Sequence, residues 1–289
     1  MLSEVFGFIG LGNMGQPMAR HVRERGFPMV VHDIVGTADR APEGAEIAQS
    51  NGDLAKRSSI IALSLPTVEA NRAVINEIVE AKHAGSLVVD TCTIGPKAAA
   101  ENGALLADAG IDYLDSPVSG LKLRAEEGTL ASMVAGSKQA LERARPMIEA
   151  YSGALYHVGP NVGQGQCMKV VNNALYISSL VTVSEALSYG EHGGLDLDTM
   201  LDVINASSGQ SFVTSKVFPN YVAAKKDGET GAEAHIVKKD LGLFVDGALA
   251  EGTPNAAIAK AYEMITAFTE RDPLQDQAQI YSFIRSKAE

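Results

Sequence analysis

The sequence predicts an α/β fold: a doubly wound, largely parallel sheet, then an all-α C-terminal domain entered through one long helix. Three observations carry this. Short apolar runs alternate with helix-length segments over the first half of the 289 residues. A glycine cluster at residues 10–15 stands where the first strand would pass into the first helix. Strand signals stop near residue 161, where a long apolar helical stretch begins. The expected domains are therefore 1–161 and 162–289.

In chain order, the expected strands are Val5–Ile9, Met29–His32, Ile60–Leu65, Leu87–Asp90, Tyr113–Asp115, Ser132–Ala135 and Leu155–His157. They are rich in Val, Ile and Leu with little polar alternation, which suits parallel strands covered on both faces. Helical segments such as Met14–Arg25, Val68–Val79 and Gly95–Ala109 separate them, and alternating β and α units build a doubly wound sheet. In the first helix Met14, Met18 and Val22 recur every fourth residue and are expected to face the sheet. Pro17 falls in its first turn, where a missing N–H costs little.

Beyond residue 161, Val162–Glu191 reads as a single helix, apolar on most sides and hence central. Within it, Val170–Gly190 invites testing as a membrane span. Asn172, Asn173, Glu185 and its serines make a buried helix the better reading. Helices at Asp196–Asn205, Phe212–Lys225, His235–Glu251, Asn255–Glu270 and Gln275–Arg285 follow, with a polar loop at Asp227–Gly231. Gly252-Thr253-Pro254 and Asp272-Pro273 punctuate them.

The charge of −11, without any Lys/Arg-rich run, excludes a nucleic-acid binder. Cys92 and Cys167 cannot make a disulfide framework and are expected as small buried residues in a reducing compartment. No signal-peptide pattern is visible at the N-terminus, so a cytoplasmic protein is expected, with no membrane partner. The histidines show no metal-ligand spacing, and no metal is expected.

Gly10-Leu11-Gly12-Asn13-Met14-Gly15 is G-x-G-x-x-G in its required strand–turn–helix context. Gly10 permits the tight turn, Gly12 lets the backbone approach a pyrophosphate, and Gly15 allows close helix–strand packing. The helix N-terminus stabilises the anion. Asp33 ends the second strand, where a carboxylate accepts hydrogen bonds from ribose hydroxyls and repels a 2′-phosphate. Ile34-Val35 supply no adjacent Arg, so NAD is expected as cofactor in preference to NADP.

Two further segments are distinctive: DSPVSGLKLRAEEGTLASMVAG at 115–136 and GPNVGQGQCMKVVNN at 159–173. With the glycine motif, they resemble the β-hydroxyacid dehydrogenase family, the 3-hydroxyisobutyrate dehydrogenase-like enzymes, over nearly the whole chain. Lys239-Asp240-Leu241-Gly242-Leu243 is similar to the family's late K-D-L-x-L motif. The resemblance implies a Rossmann-like domain, a long interdomain helix and a helical domain like the C-terminal part of 6-phosphogluconate dehydrogenase. It implies NAD(P)-dependent oxidation of a small anionic β-hydroxy acid to its semialdehyde or keto acid, or the reverse, by a homodimer or homotetramer. It also assigns Leu65-Pro66 and Thr93 to the cofactor, Ser119-Gly120 to the substrate carboxylate, and Lys239 to closure over the cofactor.

The residues make chemical sense by themselves. Asn172 and Asn173 follow Lys169 at i+3 and i+4, so one or both share its helix face. Oxidising a hydroxyl-bearing carbon needs a base for the O–H proton, and the reverse needs an acid. A partly buried lysine serves as both. Asn173 is expected to orient the lysine or the substrate oxygen, and Asn172 to contact substrate. Short loops of exposed N–H groups such as Ser119-Gly120 bind anions.

The chain departs from the family pattern at four places. Leu121 stands where a second Gly is usual, and either walls the pocket or forces a different backbone. Lys122 and Arg124 add an anion contact or are solvated. Cys92 replaces a usual Ser, and Ala232 a usual Phe. Two rival functions are an NADPH-preferring reductase of small aldehydes such as glyoxylate, and a non-catalytic dinucleotide-binding module.

Overall fold

The chain was analysed as a computed structural model that describes residues 4–81, 85–222 and 230–287. It divides into two units, Met1–Lys169 and Val170–Glu289.

In the first unit nine strands share one sheet. They are β1 (Phe6–Ile9), β2 (Met29–His32), β3 (Glu46–Ile47), β4 (Ile60–Leu63), β5 (Leu87–Asp90), β6 (Asp112–Asp115), β7 (Val118–Ser119), β8 (Leu130–Ala135) and β9 (Ser152–Gly159). The order is β3-β2-β1-β4-β5-β6-β8-β7, with β9 beside β8. The pairs from β3 to β6 are all parallel. Residues at alternate positions feed two cores. Phe6, Phe8, Val31 and Ile60 pack on one face with Met18 and Val22. Ile9, Val30, Ile61 and Val88 pack on the other with Leu54 and Ile75. Burial on both faces is why these strands read as unbroken apolar runs.

On the far side β8 runs antiparallel to both β6 and β7, not parallel as expected, while β9 pairs with β8 in parallel. Only Ser116-Pro117 separate β6 from β7, and a single short helix then turns the chain back into β8. A parallel return needs a longer crossover.

The helices of this unit are α1 (Gly15–Glu24), α2 (Asn51–Arg57), α3 (Val68–Ala81), α4 (Pro96–Asp108), α5 (Leu121–Glu126) and α6 (Lys138–Tyr151). The short elements α2, α5, β3 and β7 carry too few periods to show in sequence. Both α2 and α6 start on a serine cap, Ser50 to the Asp53 N–H and Ser137 to the Ala140 N–H.

Helix α7 (Gln164–His192) leads into the second unit. The units part at Lys169/Val170, whereas 161/162 was expected, because the first turn of α7 is bonded to the sheet (below). Then come α8 (Leu197–Asn205), a π-helical segment Val213–Val222, α9 (Ala234–Glu251), α10 (Ala256–Arg271), a 3₁₀ turn Gln277–Gln279 and α11 (Ile280–Arg285). The expected α-helix over Phe212–Lys225 is π-helical over Val213–Val222, and Pro219 inside it has no N–H for the usual i→i−4 bond. Residues 223–225 of that helix, and 227–229 of the expected polar loop, lie outside the described residues. The last helix starts later than Gln275 because Asp276 caps the Ala278 N–H while accepting from Thr230 Oγ1 and the Gly231 N–H. Ile177, Leu180 and Val181 of α7 form this unit's core with Phe218, Leu241 and Phe268. Among the described residues no helix is long and apolar enough to cross a membrane.

Candidate active site

β1 is flanked by β2 on one side and β4 on the other, so the chain reverses its winding there. Open α/β sheets bind ligands at the carboxyl ends of strands at such a switch point. The glycine loop, Asp33, Leu65-Pro66 and Thr93 follow the carboxyl ends of β1, β2, β4 and β5.

The three loop glycines differ in what they meet. Gly10 has φ +91°, and a Cβ there would overlap the Ser64 carbonyl oxygen. A Cβ on Gly15 would overlap the Gly10 carbonyl. At Gly12 no described atom beyond the glycine and its two chain neighbours lies within 4 Å of the Cβ position. The fold itself thus demands glycine at 10 and 15, while the room at 12 is what a close-lying pyrophosphate requires. Met14 packs against the core, and Asn13 is exposed.

Asp33 is tied to this loop. Its Oδ2 accepts the Leu11 N–H at 2.6 Å and its Oδ1 the Val35 N–H at 2.8 Å. Its side chain is 8% exposed, and Arg40 Nη1 lies 3.6 Å from Oδ2. No arginine is adjacent to Asp33 in sequence. Ile34-Val35 supply none, but the turn after β2 returns Arg40 to it. Arg40 also lines a cavity of about 790 Å³ together with Asn13, Gln16, Arg20, Arg23 and Lys122.

Between β4 and β5 the strand ends are stitched together. Thr91 Oγ1 donates to the Leu63 carbonyl at 2.6 Å, and the Leu65 N–H reaches Cys92 Sγ at 3.1 Å. Beneath them Asp90 accepts from Asn71 Nδ2 at 2.8 Å, Tyr113 Oη at 2.9 Å and the Cys92 N–H at 3.0 Å. Burial raises the Asp90 carboxyl above its ordinary range. Burial, then the charge of Asp90, pushes the Cys92 thiol and Tyr113 phenol well up. Cys92 is thus a buried, protonated acceptor. Cys167, expected to be buried, is exposed, because it follows Gln166 on the outward side of α7.

The start of α7 is fixed by two buried side chains. Asp115 Oδ1 accepts the Gly163 N–H at 3.1 Å and Oδ2 the Gln166 N–H at 2.7 Å. Gln166 Oε1 accepts the N–H groups of Ile94 and Gly95 at 3.0 and 3.1 Å, and its Nε2 donates to the Cys92 carbonyl at 2.8 Å. Gly163 takes φ +97°, and a Cβ on Gly165 would press on the Met133 and Asp115 carbonyls. These contacts explain the G-x-G ahead of the lysine. Burial raises the Asp115 carboxyl to about 6, outweighing the N–H bonds that favour its charge. Lys169, one turn further on, is 8% exposed. Neither of these anchors shows in the sequence, since no local pattern joins residues 51 positions apart.

Ser119 lies in β7, and Gly120 has φ +148° at the start of α5. Leu121 is the one described non-glycine residue with positive φ, at +61°. The chain keeps a glycine-type backbone there and carries a leucine on it, at a cost of about 1–2 kcal/mol. Arg124 lies over Gly120, where it would meet any added Cβ. Lys122 sits 3.8 Å from Glu126 on the same helix.

In the second unit, Asn172 Nδ2 donates to Asn173 Oδ1 at 3.3 Å. Asn173 is buried and donates to Asp240 Oδ2 at 2.8 Å, and Lys239 Nζ lies 2.7 Å from Asp240 Oδ1. Asp240 therefore joins two residues singled out separately from sequence, and it was itself missed as a site residue.

Comparison with known proteins agrees with this layout. A family profile described as the NAD binding domain of 6-phosphogluconate dehydrogenase matches residues 5–159. A second, described as NAD-binding of NADP-dependent 3-hydroxyisobutyrate dehydrogenase, matches 163–284. The chain belongs to the β-hydroxyacid dehydrogenase family.

Among the family's members it resembles, the 2-(hydroxymethyl)glutarate dehydrogenase of Eubacterium barkeri is 33% identical, with 89% of this chain and 87% of that protein covered. The NAD-dependent L-serine dehydrogenase of Pseudomonas aeruginosa is also 33% identical, with 92% and 94% covered. The structure of Mycobacterium tuberculosis 3-hydroxyisobutyrate dehydrogenase, described with L-serine, superposes with a TM-score of 0.89 at 28% identity, covering 98% and 100%. This dehydrogenase is thus an NAD-dependent oxidoreductase of CH–OH groups that moves hydride between NAD(H) and a small hydroxy acid. The open space at Gly12 and the N–H-rich loop start fit the dinucleotide. Among the described residues no group of His, Cys, Asp or Glu could hold a metal ion.

Proposed function

We propose that this dehydrogenase oxidises a β-hydroxy acid with a primary hydroxyl to its semialdehyde, or catalyses the reverse, with Lys169 as general acid/base. The observation that carries the reading is a lysine only 8% exposed on an anchored helix turn, one turn before the equally sheltered Asn173. Bound NAD supplies the hydride acceptor. Lys169 takes the hydroxyl proton as the carbon loses hydride, and returns it in reduction. Asn173, held by Asp240, orients the reacting oxygen, and Asn172 contacts substrate. Ser119 and the backbone at Gly120 hold the substrate carboxylate. Gly10–Gly15, Asp33, Leu65, Pro66, Thr93 and Lys239 serve the cofactor. The relatives' names support the substrate class, because 2-(hydroxymethyl)glutarate, serine and 3-hydroxyisobutyrate all carry a CH₂OH group β to a carboxylate.

The test is turnover of these three acids with NAD by the wild-type chain and Lys169→Ala. The substitution is expected to lower kcat by ~10²–10⁴ while leaving NAD affinity in place. A variant that keeps most of its activity ends the assignment.

Arg40 beside Asp33 favours a second reading, in which NADP is also accepted. Exposed Leu175 and Tyr189 on α7 support assembly as a homodimer or homotetramer, which sedimentation checks. The free cysteines support a reducing, cytoplasmic location.

A further inference from the structure

We infer that Gln166, together with Asp115, is a positioning residue for proton transfer: it locks the register of α7 so that Lys169 is held at a fixed place relative to the loop carrying Thr93. The inference rests on the reading of Lys169 as acid/base.

The first N–H groups of a helix lack partners within it, and Asp115 takes the Gln166 N–H together with the Gly163 N–H just before the helix. Gln166 is not needed as a cap, and its side chain points elsewhere. It is fully buried and spends three hydrogen bonds on a single loop, at Cys92, Ile94 and Gly95. Those three residues bracket Thr93, which the family resemblance places at the cofactor. The loop is in turn stitched to β4 through Cys92 and Leu65. Gln166 therefore couples the cofactor-facing loop to a helix residue three positions before Lys169, a rise of only about 4.5 Å along the axis. Residues at i and i+3 are neighbours on one helix face, so a shift at 166 is passed directly to 169. Asp115 fixes the same turn, and the bare Gly165 lets it lie directly on the Asp115 carbonyl at the end of β6 and the Met133 carbonyl of β8. Gln166 has no exposed surface of its own, so it acts through the lysine.

The experiment compares Gln166→Met, which keeps size but removes all three bonds, and the milder Gln166→Glu, which removes the donor to Cys92. Each is made alone and on a Lys169→Ala background, with the three acids above and NAD. Misplacement by about 1 Å is enough for a ~10²-fold loss. We expect Gln166→Met to lower kcat by ~10–100-fold and Gln166→Glu by less, with the Kd for NADH, read by fluorescence titration, within about threefold. On the Lys169→Ala background the same changes are expected to alter the residual rate by less than about twofold, since the group they position is gone. Equal fold-losses on both backgrounds would reveal a general structural role and overturn the inference, as would an unchanged kcat in Gln166→Met. The failure of the underlying reading looks different, because Lys169→Ala would then remain active by itself. Should Gln166→Met not fold, Gln166→Glu and Asp115→Asn carry the same comparison.

Discussion

Asp115 titrates above the ordinary aspartate range, and the stability of the fold changes with pH accordingly. Its carboxyl is raised by burial to about 6, against about 3.9 for an ordinary aspartate. Between roughly pH 4 and 6 the folded chain holds a proton that the unfolded chain has lost, so stability falls as pH rises through this window. Two units at about 1.4 kcal/mol each give a loss of about 3 kcal/mol between pH 4 and 7 from this one group. Glu4 has the opposite sign: Arg143 lowers its carboxyl, so its contribution is lost on acidification. Wild-type stability alone therefore mixes the two, and Asp115→Asn separates them. The variant alters the bonds to Gly163 and Gln166, and their charge-dependent part is already contained in the net rise to about 6. Relative to wild type it should gain about 3 kcal/mol between pH 4 and 7. Urea unfolding followed at half-unit pH steps measures this difference. Carboxyl-carbon NMR, with Asp115→Asn assigning the resonance, reads the titration directly. A flat difference curve, or a titration midpoint below about 4.5, would refute the argument that burial outweighs the two N–H bonds.

Two further outcomes follow from the cofactor loop. Gly12→Ala should fold as wild type, within about 0.5 kcal/mol, and yet bind NADH at least ~10-fold more weakly, because only a ligand occupies the space of the new methyl. Gly15→Ala should destabilise the fold by about 1–3 kcal/mol in urea titrations, since its methyl strikes the Gly10 carbonyl; normal stability would contradict the loop geometry. Arg40→Ala should raise the preference for NAD over NADP in kcat/KM by about tenfold, the worth of one charge-assisted contact. An unchanged ratio would remove Arg40 from cofactor selection.

Much of this was legible locally. Strands β1, β2, β4 and β5 are short apolar runs buried on both faces, so composition alone marks them. The glycine loop reads directly because backbone conformation and close packing restrict residue type at fixed spacing. Lys169, Asn172 and Asn173 read as a set because one helix face collects positions i, i+3 and i+4. The antiparallel turn of β8, the π-helical segment around Pro219 and the exposed Cys167 did not read, since each depends on how a segment packs. Leu121 shows the division most plainly. Sequence showed that a glycine was missing, and only the backbone showed that its φ of +61° was kept. The same holds for Arg40 on Asp33, Asp240 on Asn173, and Asp115 and Gln166 at the start of α7. The sequence by itself determined the family and the cofactor class and singled out the candidate residues, because those constraints are local or periodic. Tertiary structure alone decided which partners hold those residues, because a hydrogen bond between positions 51 or 67 apart has no period to detect.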